Sequence, residues 1–292
     1  MRKLITFEIC LTLLVILGGA FVRATGSGAG CGEHWPLCNG VTIPVNPKIE
    51  TVIEFSHRIS SGLSLLLFVA IYFLLRRKFP KAHGTRSWSN VALASFLIEA
   101  GIGALLVLKK LVATDTSYLR ALVIALHLVN TYILLAGLTG ILWNLAQSNV
   151  SFRDLPAKTR ALFAGWGLVG AMGAIVALGD TLFPAQSLAH GFAQEMDATS
   201  HPLIRLRILH PLIALLITVL TLLATLPAGN GNRPFAWPVR ALLMLQLALG
   251  ISNWLLLAPV PLQLTHLLLA NVSWIAVVWF SLANARSGTH LA

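Results

Sequence analysis

The chain has 292 residues, of which 57% are hydrophobic and only 11% charged, and its mean hydropathy is +0.80. These values exclude a conventional water-soluble domain and are typical of a polytopic membrane protein. A formal charge of +11 would favour nucleic acid in a soluble protein, but here Lys and Arg fall mainly in alternate loops, as the positive-inside bias predicts. We therefore expect membrane lipid around the protein and no nucleic-acid partner.

Eight segments are long and apolar enough to cross a bilayer. They define spans 1 to 8, at 4–24, 52–75, 88–108, 119–143, 160–179, 203–226, 236–257 and 260–283. The first segment follows the basic start Met1-Arg2-Lys3 and could be a signal peptide, but it is long enough to span and lacks a clear small-residue cleavage site. The sequence predicts an all-α integral membrane protein with eight transmembrane helices, arranged as two pseudo-symmetric four-helix bundles.

Basic loops predict the orientation in the cell inner or plasma membrane. They lie between spans 2 and 3, 4 and 5, and 6 and 7, so these loops and both termini are expected in the cytoplasm. The contrary signal is Lys109-Lys110, which this topology places outside. The long segments 25–51 and 180–202 then face outward.

Cys31 and Cys38 lie in the first of these outward segments. In an oxidising compartment they predict a disulfide that closes a small loop. Two alternatives are a pair of free thiols and a zinc site, although zinc prefers a tighter cysteine spacing and more ligands than His34 can complete.

An internal repeat appears when residues 1–150 (the first half) are laid beside residues 151–292 (the second half). Four matches recur in register: Leu17-Gly18-Gly19-Ala20 with Ala171-Met172-Gly173-Ala174, Glu99 and Gly103 with Gln246 and Gly250, His57 with His210, and His127 with His266. We expect two duplicated four-helix domains. Their small-residue runs, including Gly165 and Gly170, favour close helix packing, with clearance for a haem edge as the alternative.

The four repeated histidines each fall some five to eight residues into an even-numbered span, which is roughly 8–12 Å below the outer boundary. A single membrane histidine is usually a hydrogen-bonded helix contact. Four at matched depth, two per half, instead favour axial ligation of haem iron by facing helices. No Cys-x-x-Cys-His motif occurs, so any haem is bound without thioether attachment.

The charged residues near the outer ends of the spans differ between the two halves. Four arginines could pair with haem propionates or instead snorkel to lipid head groups: Arg23, Arg58, Arg205 and Arg207. Glu54 stands three residues before His57, where it could be a carboxylate favoured by the helix dipole or an acid beside the porphyrin. The residue three before His210 is Arg207. Opposite charges at equivalent places predict that one half changes a substrate and the other holds a permanent cofactor.

Four motifs lie along the first half: Gly18-Gly19-Ala20, Thr25-Gly26-Ser27-Gly28-Ala29-Gly30-Cys31-Gly32, Trp35-Pro36-Leu37-Cys38 and Glu54-Phe55-Ser56-His57-Arg58. Together they resemble the motifs of the haem A synthase family. The resemblance covers essentially all eight spans. It implies an oxidoreductase that converts the ring methyl group of haem O to the formyl group of haem A, for cytochrome oxidase assembly.

The resemblance also assigns roles. It implies that His57 and His127 hold the substrate haem, that His210 and His266 are the axial ligands of a haem b cofactor, that Glu54 is the catalytic acid, and that Cys31 and Cys38 form the outer-loop disulfide. Haem O synthase and an electron donor are the expected partners, and a homo-oligomer stays open. Two features depart from the family: residues 180–202 lack a second cysteine pair, and Pro211 follows His210 and is expected to bend or loosen span 6.

Two other functions use the same four histidines. One is a di-haem b-type electron carrier or quinol oxidoreductase, in which only electrons move. The other is a haem transporter or assembly chaperone without enzymatic activity. The electron carrier does not explain the contrast between Glu54 and Arg207 or the first-loop motif, whereas a transporter or chaperone would also use a half-site that exchanges its haem.

Overall fold

The computed structural model describes residues 1–227 and 233–285. Over these ranges the chain is helical, and its β-structure is limited to an isolated bridge between Cys38 and Val41. The helices are α1 (Arg2–Ala24), α2 (Ile49–Lys78), α3 (Gly84–Leu108), α4 (Tyr118–Ala146), α5 (Ala157–Leu182), α6 (Leu188–Met196), α7 (Pro202–Arg205), α8 (Leu209–Ala224), α9 (Ala236–Leu255) and α10 (Val260–Asn284).

The eight predicted spans are confirmed. Eight helices are long and apolar enough to cross a membrane, with α7 and α8 together forming the sixth, Pro202–Ala224. No predicted boundary differs from the observed one by more than four residues. Within lipid every backbone N–H and C=O needs a partner inside its own segment, so each long apolar run forms a helix. The predicted cytoplasmic position of the termini stays a prediction, and residues 286–292 lie outside the described residues.

Helix α4 lies at the centre of the bundle, where it packs against α1, α3, α5 and α10. An aromatic cluster joins it to the second half. The indole Nε1–H of Trp274 on α10 donates to the carbonyl of Tyr132 on α4 at 2.8 Å, and the two rings stack at 5.3 Å. Phe163 and Trp166 of α5 pack against the same indole. The two halves therefore share one core.

Neighbouring helices pair in the same way in each half. The first half packs α1 against α2 and α3 against α4, and the second packs α5 against α8 and α9 against α10. This pattern is compatible with two pseudo-symmetric bundles. Division of the chain at residue 150 stays a prediction.

Both long connections lie at one end of the bundle, the long-loop side. The second connection was expected to be a loop from Asp180 to Pro202, but α5 continues to Leu182 and α6 occupies much of the rest. Aromatic contacts order this connection without cysteines. His201 stacks on both Tyr118 and Phe183, with ring centroids 5.9 and 5.0 Å apart. Phe192 on α6 meets Trp254 edge to face at 5.5 Å.

Span 6 is interrupted, as Pro211 predicts. A 3₁₀ turn, Leu206–Ile208, separates α7 from α8, and Pro211 lies in the first turn of α8. At that position the missing N–H of proline breaks no helical hydrogen bond. His210 therefore lies at the start of a helix, whereas His57 lies well inside the continuous helix α2.

Candidate functional site

The four histidines lie in one layer toward the long-loop side. His57, His127, His210 and His266 are six to nine residues from the long-loop end of their spans, which corresponds to about 9–14 Å of helix. His57 lies within electrostatic range of His127, and His266 of His210. The structure therefore brings together the two pairs that the repeat predicts, one in each half.

Glycines allow three of these imidazoles to lie directly against a neighbouring helix. A Cβ added at Gly19 would be 2.9 Å from Cε1 of His57, at Gly173 3.0 Å from Cε1 of His210, and at Gly250 3.1 Å from Cε1 of His266. A methyl group at any of these positions would displace the ring. The repeated glycines thus position histidines.

Other glycines in α5 serve helix packing, as the small-residue runs predict. A Cβ at Gly165 would meet Ile217 at 2.6 Å, and one at Gly170 would meet Tyr132 at 3.0 Å. At Gly103, the counterpart of Gly250, an added Cβ would meet no atom within 4 Å. The first half therefore has more space beside α3 than the second half has beside α9.

The imidazole surroundings fit axial ligation. Nδ1 of three of the histidines, His57, His127 and His210, has no hydrogen-bond partner of good geometry among the described residues. The rings of His57 and His210 lie beside the carbonyls of Val15 and Val169, equivalent positions on α1 and α5. An axial histidine commonly directs one ring nitrogen toward a carbonyl or carboxylate and binds the metal with the other. The described residues form no group of three or more His, Cys, Asp or Glu that could hold a metal ion.

The second histidine of each pair has a different neighbour in each half. The Oε2 atom of Glu99 on α3 is in contact with Nδ1 of His127. Gln246 on α9 takes the equivalent place beside His266, with Nε2 3.2 and 3.3 Å from the two ring nitrogens. The sequence repeat matches these two positions without indicating that they contact the histidines.

Glu54 is buried and fully engaged with the protein. One oxygen accepts a hydrogen bond from the backbone N–H of Cys31 at 2.8 Å. The other accepts from the guanidinium of Arg58, one turn further along α2. Glu54 therefore does more than interact with the helix dipole: it holds the first outward segment against the helix that carries His57.

The predicted disulfide between Cys31 and Cys38 is confirmed. Arg58 fixes the loop that it closes by donating to the carbonyls of His34 and Leu37 at 2.7 and 2.8 Å. Thr51 holds the preceding turn through the carbonyl of Gly30 at 2.7 Å. The disulfide loop is therefore attached to the first turns of α2, close to His57.

The propionate candidates have protein partners to different degrees. Arg23 donates to Ala177 O, Thr181 Oγ1 and Gln263 Oε1, so it connects α1 with α5 and α10. Arg207 pairs with Asp180 at 2.9 Å and donates to the carbonyls of Gly179 and Phe183. Arg205 is exposed. These contacts define structural roles for Arg23, Arg58 and Arg207, and a propionate role stays a prediction for all four.

Sequence reasoning missed one buried cation, Arg120 on α4. It donates to the carbonyls of Ala113 and Asp115 at 2.8 and 2.6 Å, and only 3% of its surface is exposed. Its position, seven residues before His127 at the start of a predicted span, was a usable signal because charges inside apolar segments are expensive.

Fold and site together define a polytopic α-helical membrane protein with two histidine pairs at matched depth. The chain matches the family described as cytochrome oxidase assembly protein over residues 2–278, and it belongs to that family.

Individual relatives show which proteins of known name the chain is similar to. The chain is 41% identical over 285 residues to a protohaem IX farnesyltransferase of Thermus thermophilus, covering 94% of this chain and 47% of that protein. It is 47% identical over 94 residues to a haem A synthase of Alkalihalophilus pseudofirmus, with 32% of each chain covered. A haem A synthase of Bacillus cereus is 40% identical over 92 residues, or 32% of this chain and 30% of that one. The chain spans about half the length of the Thermus relative and matches about a third of the two synthases. These matches confirm the resemblance to haem A synthases.

Proposed function

We propose that this protein is a haem A synthase, a membrane oxidoreductase that converts the ring methyl group of haem O to the formyl group of haem A. The observation that carries the proposal is that two similar histidine sites have side chains of opposite charge beside them. Glu54 stands before His57 in the first half, and Arg207 stands before His210 in the second. An electron carrier with two permanent haems would not need this difference.

In the second half, His210 and His266 would hold a resident haem b. When bound, this group supplies one-electron chemistry. Arg207 is directed by Asp180 and by two carbonyls, so its positive charge is fixed beside this site. Gly173 and Gly250 keep the two imidazoles against α5 and α9. These contacts suit a cofactor that stays in place.

In the first half, His57 and His127 bind haem O as substrate. The side chain of His127 is 32% exposed, and the space beside Gly103 is open, which suits binding and release. Conversion of a methyl group to a formyl group removes electrons and adds an oxygen atom, so an external electron-transfer partner and dioxygen or water must take part. The oxidation builds positive character at that carbon. The Glu54 carboxylate, one turn from His57, can stabilise that charge or accept a proton. Arg58 and the Cys31 N–H keep the carboxylate in position.

The Thermus relative supports a haem O synthase as the partner that supplies the substrate. That protein is named for protohaem farnesylation, and this chain covers only 47% of it. The matched part belongs to the cytochrome oxidase assembly family, so we assign farnesylation to the part of the relative that this chain does not match. Two successive steps of haem modification would then be joined in one polypeptide.

Pigment extraction tests the proposal. The protein is produced in a host without haem A, with and without a haem O synthase, and its non-covalent haems are separated by chromatography and mass. We expect haem b in both preparations and formyl haem only with the haem O supply. Unmodified haem O bound beside haem b would instead identify a haem transporter or assembly chaperone. Haem b alone in both preparations would identify an electron carrier.

A further inference from the structure

The proposed reaction gives no role to the residues beside His127 and His266. These residues show the clearest remaining chemical difference between the two halves. Glu99 and Gln246 have nearly the same size and occupy equivalent positions, each beside the second histidine of its pair. One is an acid and the other a neutral amide. The difference between them is therefore one of charge and hydrogen-bonding character.

The surroundings of Glu99 hold its carboxylate in a defined orientation. Its Oε1 atom accepts hydrogen bonds from Asn130 Nδ2 at 2.9 Å and from Thr131 Oγ1 at 3.0 Å. Both donors belong to α4, the helix that carries His127. Two donors on one oxygen leave the other, Oε2, directed at His127 Nδ1.

The second half lacks this support. The residues three and four after His127 are Asn130 and Thr131, but those three and four after His266 are Leu269 and Ala270. The Oε1 atom of Gln246 is buried and has no hydrogen-bond partner among the described residues. The first half thus provides donors for an acid, and the second provides none at the same places.

The group behind an axial histidine controls the electron density that the imidazole donates to iron. A carboxylate that accepts the Nδ1–H strengthens donation and stabilises the ferric state, whereas an amide has a much weaker effect. On the basis of the proposed haem ligation, we infer that Glu99 is a positioning residue. It lowers the reduction potential of haem iron in the first half below that of the same haem in the second half. A low potential in the first half also favours the positive character that oxidation of the substrate creates.

The test compares single-site proteins loaded with one probe, protohaem. The His210→Ala/His266→Ala protein keeps only the first-half site, and the His57→Ala/His127→Ala protein keeps only the second. The midpoint potential of each is measured by spectroelectrochemical titration, without and with the reciprocal exchanges Glu99→Gln and Gln246→Glu. Glu8→Gln in the first-half protein is the matched control, since Glu8 is also buried but bonded to Ser64 and Thr12.

We expect Glu99→Gln to raise the potential of the first site, and Gln246→Glu to lower that of the second. Each change should shift the one-electron reduction equilibrium at least about tenfold, or about 59 mV. Glu8→Gln should leave the potential unchanged.

Bis-histidine spectra with potentials unaffected by either exchange would overturn this inference and leave the proposed synthase intact. Failure of the first-half protein to bind protohaem, while unsubstituted protein binds only one haem, would overturn the ligand assignment and the inference together. If the double variants do not fold, the two exchanges are made in unsubstituted protein, where the gap between its two potentials should narrow; an unchanged gap would refute the inference.

Discussion

The two halves place similar histidine pairs in different electrostatic surroundings. In the first half, the carboxylates of Glu54 and Glu99 lie beside the histidines, and a disulfide loop is attached above them. In the second half the same positions carry Arg207 and Gln246, and the covering connection is ordered by ring stacking around His201. The two halves thus share their histidine positions and differ in the groups beside them. We take this as the physical basis for a substrate site and a cofactor site in one chain.

Removal of one of the four histidines should show the largest difference in effect between the two halves. His210→Ala or His266→Ala is expected to abolish tightly bound haem b, because it leaves an open coordination position in the core. His57→Ala or His127→Ala should retain haem b but abolish haem A formation. Absorption spectra and extracted pigments of the four purified variants provide the measurement. Normal low-spin haem b in both second-half variants would refute the cofactor assignment.

Glu54→Gln should reduce conversion of haem O by about 100-fold or more, a loss typical of a missing acid or base. Haem b and bound substrate haem should persist, with conversion stopped or stalled at a hydroxylated intermediate. Glutamine can still accept the Cys31 N–H, so the loop anchor is largely retained. Conversion is measured by chromatography of the extracted haems.

The matched control is Glu50→Gln, one turn earlier on α2 and exposed. It should convert haem O normally. Near-normal haem A output from Glu54→Gln would reduce Glu54 to a loop anchor and remove the main reason for assigning the chemistry to the first half.

Replacing Cys31 and Cys38 by serine should weaken haem A formation several-fold and leave haem b content almost unchanged. The disulfide loop contacts Glu54 and Arg58, and none of these contacts reaches the second half. Conversion assays and haem quantification on the same preparation test this expectation. Equal loss of haem b would indicate a general folding defect, and two free thiols by non-reducing mass analysis would rule out the bridge.

The smallest predicted effect concerns a glycine that contacts a ligand. Gly173→Ala would place a methyl group 3.0 Å from the His210 ring, and such overpacking typically costs about 1–3 kcal/mol. Haem b affinity, measured by titration, should fall roughly tenfold. Gly62→Ala is the control, because a Cβ there meets no atom within 4 Å. Equal haem affinity in the two variants would show that Gly173 does not position His210.

Much of this organisation is predictable from the sequence. Long apolar runs determine the eight spans to within about a turn, and the repeat of His57, His127, His210 and His266 predicts the two pairs. Cys31 and Cys38 lie in a segment expected to face an oxidising compartment, which predicts their bridge.

The remainder depends on tertiary contacts that no sequence pattern encodes. Helix α6 falls in a segment expected to be loop because its nine residues are too few to span a bilayer, although they are amphipathic and follow the N-cap Ser187. The contact between Glu99 and His127 requires the packing of α3 on α4, and the engagement of Glu54 with Cys31 requires the path of the first loop. Arg23 could be placed near the outer end of α1, but its contacts with α5 and α10 depend on how the halves meet.

The most direct test of a substrate half and a cofactor half is to follow the fate of labelled haem. Protein first produced without a haem O supply, and therefore carrying unlabelled haem b, is reconstituted in vesicles and given isotopically labelled haem O with an electron acceptor or donor system and oxygen. Extracted pigments are then resolved by mass over time. We expect label to appear in haem A and to leave with it, while haem b stays unlabelled and bound throughout. Label that is never converted, or loss of haem b from the protein as haem O binds, would contradict the division into a substrate half and a cofactor half.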